Sequence, residues 1–278
     1  MTTTRHRITG GGGVELEVVE AGDPKGRPIL FVHGWSQSHL AFHGQFASRR
    51  LAGFRLVAFD LRGHGQSAAP EAPGLYQDGA HWAGDVAAIL AGLKLERPVL
   101  VGWSYGGLVI GDFARRHRGV PLGGIVTVGA ATTIGRVTNG YPVGDVFKAH
   151  APALVGSDRT AELAAAVAFV AACRATPPPP EEWAAQVGWM MWTRPDVRKS
   201  MSMRTEDVRP DLAGARCPLL VVQGREDRVV VPGQGEGLAA LRPDARFLAM
   251  PGVGHAPFAE APEEFDKALA LFAATEAR

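Results

Sequence analysis

The sequence predicts an α/β fold: a mostly parallel sheet of eight strands flanked by helices, with a helical insertion before its last strands. Three observations predict it. Four short runs, Ile29-Leu30-Phe31-Val32, Leu56-Val57-Ala58-Phe59, Val99-Leu100-Val101 and Leu219-Leu220-Val221-Val222, are continuously apolar and each stops at a polar or glycine residue. Strands buried on both faces read this way, as they do when helices cover a parallel sheet. Segments of helical period fill the gaps between them. Finally, the third run leads straight through Gly102-Trp103-Ser104-Tyr105-Gly106 into a helical pattern, a strand-to-helix corner.

In chain order, Gly10–Gly13 is a flexible turn, and Val14-Glu15-Leu16-Glu17-Val18 alternates as an antiparallel strand with one wet face does. Arg5–Thr9 is its expected hairpin partner. Ile125–Val128 and Phe247–Met250 are weaker strand candidates and complete the eight, the first two antiparallel and the rest parallel. His81–Leu93 carries Trp82, Val86, Ile89, Leu90 and Leu93 as a helical stripe. The helix after Ser104 closes with Arg115, Arg116, His117, Arg118 and Gly119, cations and a glycine where a helix C-terminus favours them. Glu263–Ala274 is a last helix. Between Ala130 and Arg209 no buried strand is evident. An alanine-rich helix over Arg159–Arg174 and a second over Glu181–Thr193 are separated by Pro177–Pro180, a stiff spacer that cannot continue a helix. Residues 1–129 and 210–278 are therefore expected to form the core and 130–209 a lid over the C-terminal edge of the sheet, where open α/β sheets bind ligands.

The totals exclude several function classes. The 278 residues carry 29 Lys and Arg against 28 Asp and Glu, a net of +1 with no basic stripe, so a nucleic-acid surface is not expected. Cys173 and Cys217 are too few for a disulfide scaffold and read as buried thiols in a reducing compartment. The first residues lack the apolar core of a secretory signal, and the longest apolar stretch, Leu163–Cys173, is too short to span a bilayer. A soluble, cytoplasmic protein without membrane partner is expected; oligomeric state is left open.

The chemistry-bearing stretch is Gly102-Trp103-Ser104-Tyr105-Gly106-Gly107, a G-x-S-x-G corner that lifts a serine hydroxyl clear of the sheet. It also leaves the Tyr105 N–H at a helix N-terminus, pointing where negative charge develops. A serine needs a histidine to take its proton, and the histidine a carboxylate to hold its tautomer. Gly252-Val253-Gly254-His255 follows the last strand, and Gly224-Arg225-Glu226-Asp227 follows the strand before it, so His255 and Asp227 belong at the same sheet edge as Ser104. Glu226 is an alternative acid. His39 and His43, four apart, could share a helix face as metal ligands do, but lack a third ligand. Asp60 and Asp85 read as loop and helix residues. No metal and no cofactor is expected, and the glycines match neither nucleotide-binding fingerprint.

With these pieces in place the chain resembles the α/β-hydrolase family from about Ile8 to Phe272. The matching stretches are Val32-His33-Gly34-Trp35, Asp60-Leu61-Arg62-Gly63-His64-Gly65-Gln66-Ser67, Val101–Gly107, Gly224–Asp227 and Gly254-His255. Length and lid size look most like the cofactor-free haloperoxidase, perhydrolase and aryl-esterase branch. The resemblance implies Ser104, His255 and Asp227 as catalytic triad, and an oxyanion hole from the N–H groups of Trp35 and Tyr105. It also implies loop-bracing roles for His33 and His64. Serine rather than aspartate at the corner argues against the dehalogenases and epoxide hydrolases of this fold and for acyl transfer. Trp103, with Trp183, Trp189, Met190 and Trp192 of the lid, is expected to line a pocket for an apolar acyl or aryl group; Trp183 and Met190 read equally well as a helix stripe on the core. The expected activity is cleavage of a small to medium, largely apolar carboxylic ester, with perhydrolysis as a side reaction. The rivals are C–C hydrolysis or acyl transfer by the same triad, and a small-molecule receptor that keeps the site for binding.

Overall fold

The computed structural model describes residues 3–137 and 143–275. All eight expected strands share one sheet, in the order β1-β2-β4-β3-β5-β6-β9-β10. They are β1 (Thr4–Thr9), β2 (Glu15–Gly22), β3 (Pro28–Val32), β4 (Arg55–Phe59), β5 (Val99–Trp103), β6 (Gly124–Val128), β9 (Leu219–Gly224) and β10 (Arg246–Met250). The β1–β2 and β2–β4 pairings are antiparallel; from β4 to β10 every pairing is parallel. The continuous apolar runs follow from this position. Ile29 and Phe31 face one buried layer while Leu30 and Val32 face the other, and Leu100 and Val101 divide in the same way. Period-2 alternation persists, but both faces are dry.

The longer helices are α1 (Gly79–Gly92), α2 (Gly106–Arg116), α3 (Asp145–Leu154), α4 (Arg159–Ala172), α5 (Pro180–Met191), α6 (Pro195–Ser202), α7 (Gly233–Ala240) and α8 (Pro262–Thr275). On one face of the sheet α1 and α2 bury Trp82, Ile89, Ile110 and Phe113. On the other, α8 buries Phe265, Leu269 and Phe272, joined by Phe42 and Phe258 from short helical turns at the C-terminal edge. Asp158 caps α4 by accepting the Thr160 and Ala161 N–H groups, and Pro180 occupies the first turn of α5, where its missing N–H is harmless.

Helices α3 to α6 all lie between β6 and β9 in the chain. The sequence reading found no strand there, yet two short ones exist: β7 (Thr133–Ile134) pairs antiparallel with β8 (Glu206–Asp207). They hold the two ends of the helical segment together. Part of the stretch expected to form the lid, residues 138–142, lies outside the described residues.

Candidate active site

Ser104 stands where β5 ends and α2 begins, with φ at +54°. That left-handed backbone costs a non-glycine residue roughly 1–2 kcal/mol, so neighbouring groups must hold it. The Ser104 N–H donates to the Val128 carbonyl at 3.1 Å, and the Ser104 carbonyl accepts from Gly107 and Ala131, each at 2.9 Å. Glycines make the corner possible. A Cβ at Gly106 would lie 2.2 Å from the Val32 carbonyl oxygen, and one at Gly34 would lie 2.8 Å from the Ser104 Cβ.

The acid and the base meet beside it. One Asp227 oxygen, Oδ2, lies 2.8 Å from His255 Nδ1 and also accepts from Gln223 Nε2 at 3.2 Å. The other accepts the backbone N–H groups of Val229 and Val230, both at 2.9 Å. A carboxylate saturated in this way cannot rotate, and it leaves Nε2 as the histidine's open nitrogen. The His255 backbone is fixed as well: its N–H donates to the Cys173 carbonyl at 2.7 Å, and its carbonyl accepts from Trp103 Nε1 at 2.8 Å. Gly129, at φ +46°, passes so close that a Cβ would sit 3.0 Å from Asp227 Oδ2.

Ser104 and His255 line the same small cavity with Gly34, Trp35, Gln37, Trp103, Phe147, Phe169, Cys173 and Val229; no hydrogen bond joins the two side chains. Catalytic hydrogen bonds often tighten only when substrate is bound. Among the described residues no protein group accepts from the Trp35 or Tyr105 N–H. Such an arrangement can pass a proton from hydroxyl to imidazole and offers amide donors to an oxyanion.

The loop after β3 is braced in several ways. Its Gly34–Gln37 turn closes with Gln37 N–H to Gly34 carbonyl at 3.3 Å and puts Ser36 at φ +57°. Ser36 N–H donates to His64 Nε2 at 3.1 Å, and Leu61 N–H donates to His33 Nε2 at 2.9 Å. Both rings use Nδ1 toward a carbonyl, Arg62 and Gly34 respectively. Burial holds their pKa values far below the ordinary 6.5, at about 4 for His33 and about 3 for His64. Arg198 Nε donates to Ser36 Oγ at 2.7 Å, although no motif marks this arginine.

The other candidates fall elsewhere. Glu226 accepts from the Val253 N–H rather than from His255. His39 is buried on Asp60, at 2.8 Å, whereas His43 is turned toward the Leu40 carbonyl. Asp85 forms a fully buried ion pair with Arg62. Cys217 is buried, but Cys173 lines the cavity; burial, reinforced by Asp227 and Glu260, pushes its thiol up, away from thiolate chemistry.

Of the pocket residues expected from the sequence, Trp103 lines this cavity and an adjoining one, and Trp189 lines the second with Gln37, Val170, Gln186 and Phe258. Trp183, Met190 and Trp192 line neither. Trp183 turns its indole to the Val167 carbonyl, Met190 is buried in the core, and Trp192 follows the end of α5 half-exposed. Phe147 and Phe169, which no motif marks, take their place. A larger groove of about 630 Å³, lined by Arg97, His117 and Arg216, lies by the start of β5, at the edge remote from Ser104.

Fold and site together define an α/β hydrolase. Residues 29–268 match the alpha/beta hydrolase family, and the chain belongs to it. It is similar to the esterase RhEst1 from Rhodococcus sp. ECU1013, with 35% identity and a TM-score of 0.91 over 98% of this chain and 99% of that one. A non-heme haloperoxidase of Rhodococcus erythropolis is 29% identical, covering 89% of this chain and 92% of its own. The AB hydrolase superfamily protein YisY of Bacillus subtilis (strain 168) is 28% identical over 89% and 91% of the two chains. Among the described residues no helix is long and apolar enough to cross a membrane.

Proposed function

We propose that this hydrolase cleaves small to medium, largely apolar carboxylic esters through an acyl-enzyme intermediate on Ser104. The observation that carries the reading is a serine in strained left-handed backbone sharing one cavity with a histidine whose Nδ1 is held 2.8 Å from a buried aspartate. Ser104 Oγ attacks the carbonyl carbon as its proton passes to His255 Nε2, and the oxyanion rests on the Trp35 and Tyr105 N–H groups. Collapse expels the alkoxide, which takes that proton from His255. Water then attacks the acyl group, gives a proton to His255 and regenerates Ser104. Helices α3 to α6 act as a lid: the cavity holds about 20 Å³, roughly one water, so ester enters as Phe147 and Phe169 draw away from Trp35. Trp35, Phe147 and Phe169 favour an apolar acyl chain.

A p-nitrophenyl ester series of increasing acyl length tests this. Turnover should peak at a short to medium chain and vanish with Ser104→Ala; flat, near-background rates across the series would favour a receptor or a C–C substrate. The similarity to a non-heme haloperoxidase supports one extension, in which hydrogen peroxide replaces water, releases a peracid and so oxidises bromide. Peroxide-dependent bromide oxidation that survives Ser104→Ala would rule that extension out.

A further inference from the structure

We infer that Gln37 is the specificity-determining hydrogen-bonding group of this site, and that the preferred ester carries a neutral polar group, hydroxyl, oxo or amide, within two or three bonds of its scissile carbonyl. The inference rests on the ester-hydrolase reading above. Gln37 is only 7% exposed; its side-chain amide keeps a little open surface and, among the described residues, has no protein hydrogen-bond partner. It is also a wall of both cavities: the one shared by Ser104 and His255, and the adjoining one that runs toward Gln186 and Trp189. The indole and amide donors around it are engaged, whereas the Nε of Arg174, on the wall of the adjoining cavity, has no hydrogen-bond partner among the described residues. Trp35 Nε1 donates to the Arg198 carbonyl, Trp103 Nε1 to the His255 carbonyl, and Gln186 Nε2 to Glu182. Most of the remaining lining is Phe147, Phe169, Val170, Val229, Ala256 and Phe258.

A largely enclosed amide with no protein partner turns its open surface to a ligand or to water. Each cavity holds about 20 Å³, room for roughly one water. A substrate group that displaces such a water must reproduce its hydrogen bonds. An amide presents both a donor and an acceptor, so its complement is an uncharged hydroxyl, oxo or amide group rather than a carboxylate. Because Gln37 and Ser104 bound the same one-water space, that group lies close to the reacting carbonyl.

The test compares matched esters with wild-type protein, Gln37→Leu and the unbranched Gln37→Met, each checked by thermal melting. The acyl arm sets ethyl butanoate against its 3-hydroxy and 3-oxo derivatives; the alcohol arm sets propyl butanoate against 2-hydroxyethyl butanoate. Rates of kcat/KM are divided by those of hydroxide hydrolysis to remove intrinsic reactivity. The wild type should favour the polar ester in at least one arm by about three- to tenfold, the scale of one neutral hydrogen bond. The substitutions should bring that ratio to near one. A wild-type ratio near one in both arms, or a ratio that either folded variant leaves unchanged, would overturn the role of Gln37 while Ser104-dependent ester hydrolysis stands. Failure to hydrolyse any ester would defeat the parent reading, and this inference with it.

Discussion

Arg198→Met separates what the helical segment does for stability from what it does for the loop after β3, which carries the proposed oxyanion donor Trp35. The Arg198 guanidinium is fully buried; it pairs with Glu162 and donates to the carbonyls of Leu154 and Met190 at 2.9 and 2.6 Å. It thereby ties the end of α3, the start of α4 and the end of α5 to Ser36, the residue after Trp35. Removing it strands the Glu162 carboxylate in the interior, where, among the described residues, the mostly exposed Arg159 is its remaining ion partner. Breaking a buried pair from one side costs about 3–5 kcal/mol. For a chain of this size the melting temperature should fall by roughly 5–9 °C. Adding Glu162→Leu removes the stranded charge and should restore most of that loss. Activity should not return with it. In both variants the Ser36 hydroxyl has lost its donor, and a residue at φ +57° with one support fewer lets the Trp35 N–H drift. Misplacement of a catalytic group by about 1 Å can cost on the order of 10²-fold, and complete loss of an oxyanion donor about 10²–10³. Thermal melts and kcat for p-nitrophenyl acetate in the two variants provide the assay, with a fall of roughly 10–100-fold expected in each. If the double variant regains activity along with stability, Arg198 is a structural clamp only and the coupling to Trp35 is wrong.

Two further outcomes follow from the same geometry. His33 and His64 each accept an N–H at Nε2, so protonation breaks a buried hydrogen bond, and their pKa values sit at about 4 and about 3. The unfolded chain binds these protons more readily, so this stability is complete above pH 6.5 and drains away as pH falls through the folded values. Melting temperature should therefore be level above neutrality and decline below about pH 6, less steeply in His64→Gln; identical slopes for the two proteins would contradict the assignment. At the corner itself, Ser104→Gly should melt higher than Ser104→Ala by the equivalent of about 1 kcal/mol, the reverse of the usual order, because only glycine adopts φ +54° freely. Equal melting of the two would mean that the corner carries no strain.

The sheet was legible because strands covered on both faces leave unbroken apolar runs, and Gly102-Trp103-Ser104-Tyr105-Gly106 marked one of them with its own chemistry. The pair β7 and β8 was not: Thr133–Ile134 and Glu206–Asp207 are two residues each, too short for any period, and meet across the whole helical segment. Pocket walls failed for a related reason. In α5 and just beyond it, Trp183, Trp189, Met190 and Trp192 are all apolar, and composition does not tell which side faces inward. Packing turned Trp189 toward the cavity and left Trp192 half-exposed. Arg198 and Gln37 carry no motif; their importance lies in what surrounds them, which only folding decides.

The central claim is that Ser104, activated by His255, is the nucleophile. A fluorophosphonate probe followed by mass spectrometry of the labelled peptides tests it most directly. The expected result is one adduct on Ser104, absent in Ser104→Ala and formed far more slowly in His255→Ala. Equal labelling of wild type and Ser104→Ala, or an adduct on another residue, would contradict it.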